Sequence, residues 1–345
     1  MERPKGLAMN PALPVTDDTP IWDAWLGLYQ TPTVSVALEL EIFESLREPA
    51  DTASLAAATG YSERGLKALL GMLKCLKLLD RRQGKWQLNQ TSRAYMLKDS
   101  PYFWGPFFSY MSASVPFHDL LRDNVRGVAT GEGRPVQGWE EGQIDEGLAR
   151  RLTDFMHCHS IAPAVGLAEA CDFAGVKRVL DVGGGSGCYA FSLARANPEL
   201  RASVMDLPTI CKVAEDYIDK AGVADRVDTQ VVDMFRQDWP AGYDCHFFAN
   251  VFHDWSIDTC RQLAHTSFGA LEPGGRICLQ EMLLDDTGDG PLPPIAFSVV
   301  MCLGTKGQQF TLAELTDILE GAGFTNIGAQ RSYGYYSLVT GHKPV

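Results

Sequence analysis

VLDVGGGSGCYAFSLA, residues 179–194, runs from an apolar strand-like segment through a glycine loop into the start of a helix. Gly183, Gly184, Gly185 and Gly187 follow the apolar run directly. Glycines there permit positive φ and close backbone approach, and the helix start turns free N–H groups toward a polar ligand. Gly185, Gly187 and Ala190 satisfy a loose GxGxxA. The pattern therefore suits a dinucleotide or another adenosine cofactor, and does not choose between them.

Working outward, ASVMDL ends in Asp206, 19 residues past Gly187. A carboxylate at the end of that strand can accept both hydroxyls of an adenosine ribose. The third run, VVDM, ends at Asp233, where that side chain and Met234 can meet an adenine amino group and ring face. YDCHFFANV and GRICLQEML continue the series, and helix-length segments separate most of these runs. Such alternation predicts an α/β layered domain with a mainly parallel sheet. TNIGAQR and GYYSLVTG, joined by a turn at Ser332–Tyr333–Gly334, predict a closing antiparallel hairpin.

The front of the chain reads differently. Helical spacing runs from Trp22 to Leu46, with TVSVALELEIFESL as two short pieces around a bend. Asp51 or Thr52 can cap the next helix, Gly60 ends it, and Ser62 can cap RGLKALLGMLKCLKLL. DRRQGKWQLN then turns back at Gln83-Gly84. This is the outline of a winged helix, but the second helix is dominated by Leu66, Leu69, Leu70, Leu73 and Leu76. So apolar a surface predicts packing within the chain or across a dimer. PYFWGPFFSYMSASVPFH, residues 101–118, is a dense aromatic patch suited to core, pocket wall or subunit interface. Residues 125–145 read as a Gly-rich loop, and helical spacing resumes from Ile144 to Ala170.

Composition narrows the partners. Thirty Lys and Arg against 43 Asp and Glu leave a net charge of −13 in 345 residues. That balance disfavours phosphate backbones and anionic lipid, so neither nucleic acid nor membrane is expected as a partner. Nine scattered cysteines without a CxxC fit reduced thiols and a cytoplasmic setting. The opening MERPKGLAMNPALPVTDD has no apolar signal core, and no stretch has the length of a membrane span.

Taken together, DVGGGSG, MDLP, VVDMF, FHDWSIDTC and LEPGGRICLQE resemble the S-adenosylmethionine-dependent O-methyltransferases of small molecules. That family includes caffeic acid, hydroxyindole and bacterial polyketide O-methyltransferases, and the resemblance spans nearly the whole chain. It implies a Rossmann-like methyltransferase domain with a mainly parallel seven-stranded sheet, preceded by a mostly helical, winged-helix-like dimerisation domain. The expected boundaries are a loose arm at 1–18, the dimerisation domain at 19–110, linker helices serving the substrate pocket at 111–170, and the catalytic domain at 171–345. S-adenosyl-L-methionine is the implied cofactor and S-adenosyl-L-homocysteine its product. Its site would comprise Asp181, Gly183, Gly185, Gly187, Asp206, Leu207, Asp233, Met234 and Asn250. The implied partners are a small-molecule acceptor and a second copy of the chain. Specialised-metabolite or antibiotic biosynthesis is the implied setting.

His253, in NVFHDWS, matches the family's general base, and a near-neutral imidazole can take a phenol's proton. Glu281, ending ICLQE, matches a flanking glutamate that orients the base. The second flanking glutamate is replaced by Gln309, in GQQFT, whose amide can hydrogen-bond the ring without offsetting its charge. Ala249 stands where plant members often carry a lysine. Met156, Trp255 and Met301 are the implied acceptor contacts. O-methylation of an aromatic or polycyclic hydroxyl is the leading expectation. The rivals are C-methylation of an activated carbon (2-oxo acid, indole or tetrapyrrole), N-methylation, and a nicotinamide-dependent oxidoreductase. No metal is expected, since His157 and His159 at i, i+2 on a helix point to different faces.

Overall fold

The computed structural model describes residues 12–128 and 135–345. They fall into two compact units: one of Thr19–Gln137 and Leu283–Thr311, the other of Gly138–Met282 and Leu312–Val345 with the described residues before Thr19.

In the front unit, helices Gln30–Glu39 and Ile42–Ser45 meet at Glu41, whose φ of 54° makes the expected bend. The Asp51 carboxylate accepts from Ser54 N at 2.7 Å and starts helix Thr52–Thr59, which Gly60 ends at φ 74°. Ser62 Oγ accepts from Gly65 N at 3.3 Å and starts helix Glu63–Cys75. Such N-caps each stabilise a helix by about 1 kcal/mol. Leu66, Leu69, Leu70 and Leu73 are completely buried, so the leucine face is used inside the unit. Strands β1 (Leu79–Arg82) and β2 (Lys85–Leu88) form the antiparallel wing, turning at Gln83 and Gly84 with positive φ.

Leu283–Thr311 groups with this front unit, which departs from an unbroken catalytic domain over 171–345. The reason is packing that sequence distance hides. A Cβ on Gly71 would lie 2.9 Å from Ile295 Cδ1, so the helix Leu292–Gly304 presses close to helix Glu63–Cys75. Arg64 Nη1 donates to Gly307 O at 2.8 Å, and Lys74 Nζ pairs with buried Asp289 at 2.5 Å.

The second unit is built on a seven-stranded sheet. Its strands are β3 (Arg178–Val182), β4 (Arg201–Asp206), β5 (Val227–Val231), β6 (Cys245–Ala249), β7 (Arg276–Glu281), β8 (Thr325–Tyr333) and β9 (Tyr336–His342). The order is β5-β4-β3-β6-β7-β9-β8; β3 to β7 are parallel, and β9 runs antiparallel to both β7 and β8. Val179, Leu180 and Val182 are fully buried, as expected of a parallel strand covered on both faces. The final turn falls at Gly334 and Tyr335, one residue later than the sequence suggests.

Residues 125–145, expected to be a loop, contain the helix Pro135–Glu141. Packing overrides the polar composition: Trp139 sits on a small apolar cluster of Ile144, Ala149, Leu207 and Ile210. Helix Glu146–Ala170 follows, capped by Asp145 accepting from Leu148 N at 3.0 Å. At Gly166 this helix lies against the hairpin, where an added Cβ would fall 2.3 Å from Tyr333 Cδ2. Gly166→Ala should therefore destabilise the protein by about 1–3 kcal/mol in denaturant unfolding. The same change in a Tyr333→Ala background should lose the penalty. Equal stability of Gly166→Ala and the parent would contradict this account.

Candidate functional site

Strand order reverses between β3 and β6, and ligands in open α/β sheets lie beyond the carboxyl ends of strands at such a point. An open cleft lies there, lined by residues at and just beyond the ends of β3 to β6 and by one face of helix Glu146–Ala170.

The glycine loop shapes one wall. Gly183 and Gly185 both line the cleft with positive φ, and the space where a Gly185 Cβ would stand is open. Gly187, expected at the cofactor, is not among the lining residues. A Cβ there would lie 2.8 Å from Val204 Cγ2, so this glycine lets helix Cys188–Ala196 close onto β4.

Asp206 Oδ2 accepts from Gly185 N at 3.0 Å, tying the end of β4 to the loop. Burial pushes its carboxyl up to about 6, against the lowering effect of the Leu207 and Gly185 N–H groups. Asp181 is pushed up to about 7 by burial; the Ala190 N–H opposes this and the Asp206 charge adds to it. Asp233 Oδ1 accepts from Phe235 N at 2.9 Å, and its Oδ2 pairs with Arg236 at 2.5 Å. Leu207, Met234 and Asn250 complete this lining. Asp181 Oδ1, Thr153 Oγ1 and Asn250 Oδ1 are buried without a hydrogen-bond partner among the described residues. Buried polar atoms are normally satisfied, so this donor and acceptor set fits a ligand carrying amine, carboxylate and hydroxyl groups.

Beyond β6, a short turn Phe252–Asp254 carries His253 into the interior at 3% exposure. Its Nδ1 lies 2.6 Å from Glu281 Oε2, at the end of neighbouring β7. Burial lowers the basicity of this imidazole, but the Glu281 charge, the hydrogen bond and Asp254 outweigh it, so the pKa stands above its ordinary value. Asp254 is itself pushed up to about 6 by burial, with His253 opposing and Glu281 adding. Asp254 and Trp255 line the cleft, and so does Met156.

Two expected site residues belong to the front unit. Met301 is buried in helix Leu292–Gly304, and Gln309 is 1% exposed with neither amide atom partnered among the described residues. His157, read only as an unsuitable metal ligand, lines the cleft, and its Nδ1 lies 2.8 Å from Ser186 Oγ of the glycine loop. The described residues hold no group of three or more metal-ligating side chains. Sequence reading also missed Trp139, Thr153 and Tyr189 as lining residues. A lone tryptophan in a Gly-rich polar stretch was the one available signal.

Residues 120–325 match the O-methyltransferase domain, and residues 22–98 match the O-methyltransferase dimerisation domain. The chain is 31% identical to 3-hydroxy-5-methyl-1-naphthoate 3-O-methyltransferase of Streptomyces sahachiroi, covering 94% of this chain and 95% of that one. An O-methyltransferase family 2 protein from Planctomyces limnophilus, solved with apigenin, superposes with a TM-score of 0.87 at 25% identity, over 96% and 98% of the two chains. Human N-acetylserotonin methyltransferase, solved with S-adenosylmethionine, superposes with a TM-score of 0.59 at 25% identity, over 95% and 97%. The chain belongs to the O-methyltransferase family. It is a methyltransferase that uses S-adenosyl-L-methionine. Among the described residues, no helix is long and apolar enough to cross a membrane.

Proposed function

We propose that the enzyme methylates a hydroxyl of an aromatic or polycyclic specialised metabolite, with His253 as general base. The observation that carries this reading is the buried His253–Glu281 pair, 2.6 Å apart, set beside the cleft. The naphthoate-methylating relative and the apigenin-bound structure support the acceptor class.

In this reading Asp206 takes the ribose hydroxyls, Asp233 and Met234 meet the adenine, and the glycine loop with Asp181 and Asn250 holds the amino-acid end. When bound, S-adenosylmethionine supplies a sulfonium methyl and leaves as the neutral thioether. Glu281 accepts from Nδ1–H, which makes Nε2 the basic nitrogen. Nε2 takes the acceptor's hydroxyl proton as the oxygen bonds to the methyl carbon, and the buried carboxylate stabilises the imidazolium that results. The remaining acceleration comes from alignment within the cleft. Met156 and Trp255 would contact the acceptor.

The homodimer would form through the N-terminal unit, where Tyr102, Trp104, Phe107 and Tyr110 are exposed. Nine unbridged cysteines favour a cytoplasmic setting. The test is turnover of hydroxylated naphthoates and flavones with carbon-13-labelled S-adenosylmethionine, followed by NMR of the product. The expected result is a methoxyl signal. A labelled methyl on carbon or nitrogen would overturn the hydroxyl assignment.

A further inference from the structure

We propose that Trp139 is the wall against which the adenine ring of the bound cofactor lies, and that Arg236 is the positioning residue that latches Trp139 in place. This rests on the cofactor orientation proposed above, with the ribose at Asp206.

Trp139 lines the cleft at the end that also holds Asp206, Leu207, Asp233, Met234 and Phe235. Its indole is only partly buried, because one side packs on the Leu207 and Ile210 cluster while it still borders the open cleft. An aromatic face in that position suits a flat heteroaromatic base, which stacks on indole better than on an aliphatic wall.

Three contacts fasten the segment. Arg236 Nη1 pairs with Asp233 Oδ2 at 2.5 Å, while its Nη2 donates to the carbonyl of Glu140, the residue after Trp139. One guanidinium thus joins the carboxylate assigned to adenine with the backbone that carries the indole. Gly142 closes the turn at φ 70°, and its N–H donates to Trp139 O at 3.2 Å. A Cβ at Gly142 would lie 2.7 Å from Asp233 Oδ2 and 3.0 Å from Arg236 Nη1, so only glycine lets the turn approach the ion pair. Finally, Gln143 N donates to Gly138 O at 3.0 Å. An indole placed only to fill the small apolar cluster would not need its backbone tied to the adenine-side carboxylate.

Calorimetric titration of the full chain with S-adenosylhomocysteine and with adenosine tests the proposal. Trp139→Ala should weaken both ligands by a similar factor, on the order of tenfold, as expected for loss of one base–aromatic stack. Arg236→Gln, a change at an exposed side chain, should weaken both by a smaller factor. Trp139→Phe should keep most of the affinity and remove the part of the fluorescence quench that adenosine produces on indole. That variant keeps the test open even where the alanine variant folds poorly. Unchanged affinities in Trp139→Ala and Arg236→Gln would overturn the proposal. So would loss of S-adenosylhomocysteine binding with adenosine binding retained. Asp206→Ala serves as the control: if it alone loses ligand, the cofactor orientation stands and the Trp139 wall falls. If Asp206→Ala also binds normally, the orientation itself is wrong, and the wall with it.

Discussion

His253→Ala is expected to lower kcat with a phenolic acceptor by about 10²–10⁴, the usual contribution of a positioned general base. S-adenosylhomocysteine affinity should be retained, because His253 is not among the residues lining the cofactor cleft. The pH dependence follows from the same pair. Burial works against the protonated imidazole, but Glu281 and Asp254 raise the His253 pKa above its ordinary 6.5. A base must be unprotonated to act, so kcat/KM should climb with pH and level off above that raised value. Glu281→Gln removes the charge that raises it, so the acidic limb should move to lower pH. The plateau should fall as well, because the imidazolium formed in the reaction loses its counter-ion. An acidic limb that stays in place in Glu281→Gln would remove His253 from the role of base.

The second large effect concerns Asp206. Asp206→Ala should raise the Kd for S-adenosylhomocysteine about ten- to 150-fold, the cost of about 1.5–3 kcal/mol for lost hydrogen bonds to a charged group. It also removes the acceptor that holds Gly185 N at 3.0 Å, so the glycine loop loses an anchor. Burial has already raised the Asp206 carboxyl to about 6 in the free protein. The anion is the better hydrogen-bond acceptor, so affinity should weaken as pH falls through about 6 and be fullest above it. Isothermal calorimetry across that range checks both statements. A Kd in Asp206→Ala equal to that of the parent would place the ribose elsewhere.

Much of this site was legible because its residues sit at strand ends in sequence order. Asp206 and Asp233 each close an apolar run, and a doubly wound sheet gathers such ends on one edge. The capping residues Asp51 and Ser62 were legible for a local reason, since each acts within three residues of itself. What was not legible depends on distant contacts. Trp139 lay in a stretch whose composition suggests a loop, and its place depends on the distant cluster at Leu207 and Ile210 and on Arg236. The affiliation of Leu283–Thr311 with the front unit was equally hidden, because it rests on Gly71 facing Ile295 and on Lys74 and Arg81 meeting Asp289. Gly187 is instructive in another way. The motif contains it, yet its space is filled by Val204, so part of a ligand-binding pattern serves helix packing.

The insertion of β9 between β7 and β8 has a consequence for how the protein is made. β7 carries Glu281 and is flanked on one side by a strand that precedes it in the chain and on the other by one synthesised well after it. A nascent chain that has reached β7 therefore presents Ile277, Cys278 and Leu279 along an unpaired edge until the hairpin docks. Such edges invite pairing with other chains. Docking of β9 both shields that edge and pairs Glu281 with Ser337, so the carboxylate beside His253 gains its backbone neighbour in the same late step. Chains stalled short of the hairpin would be sticky and inactive together, and the cell's chaperones would meet both defects as one.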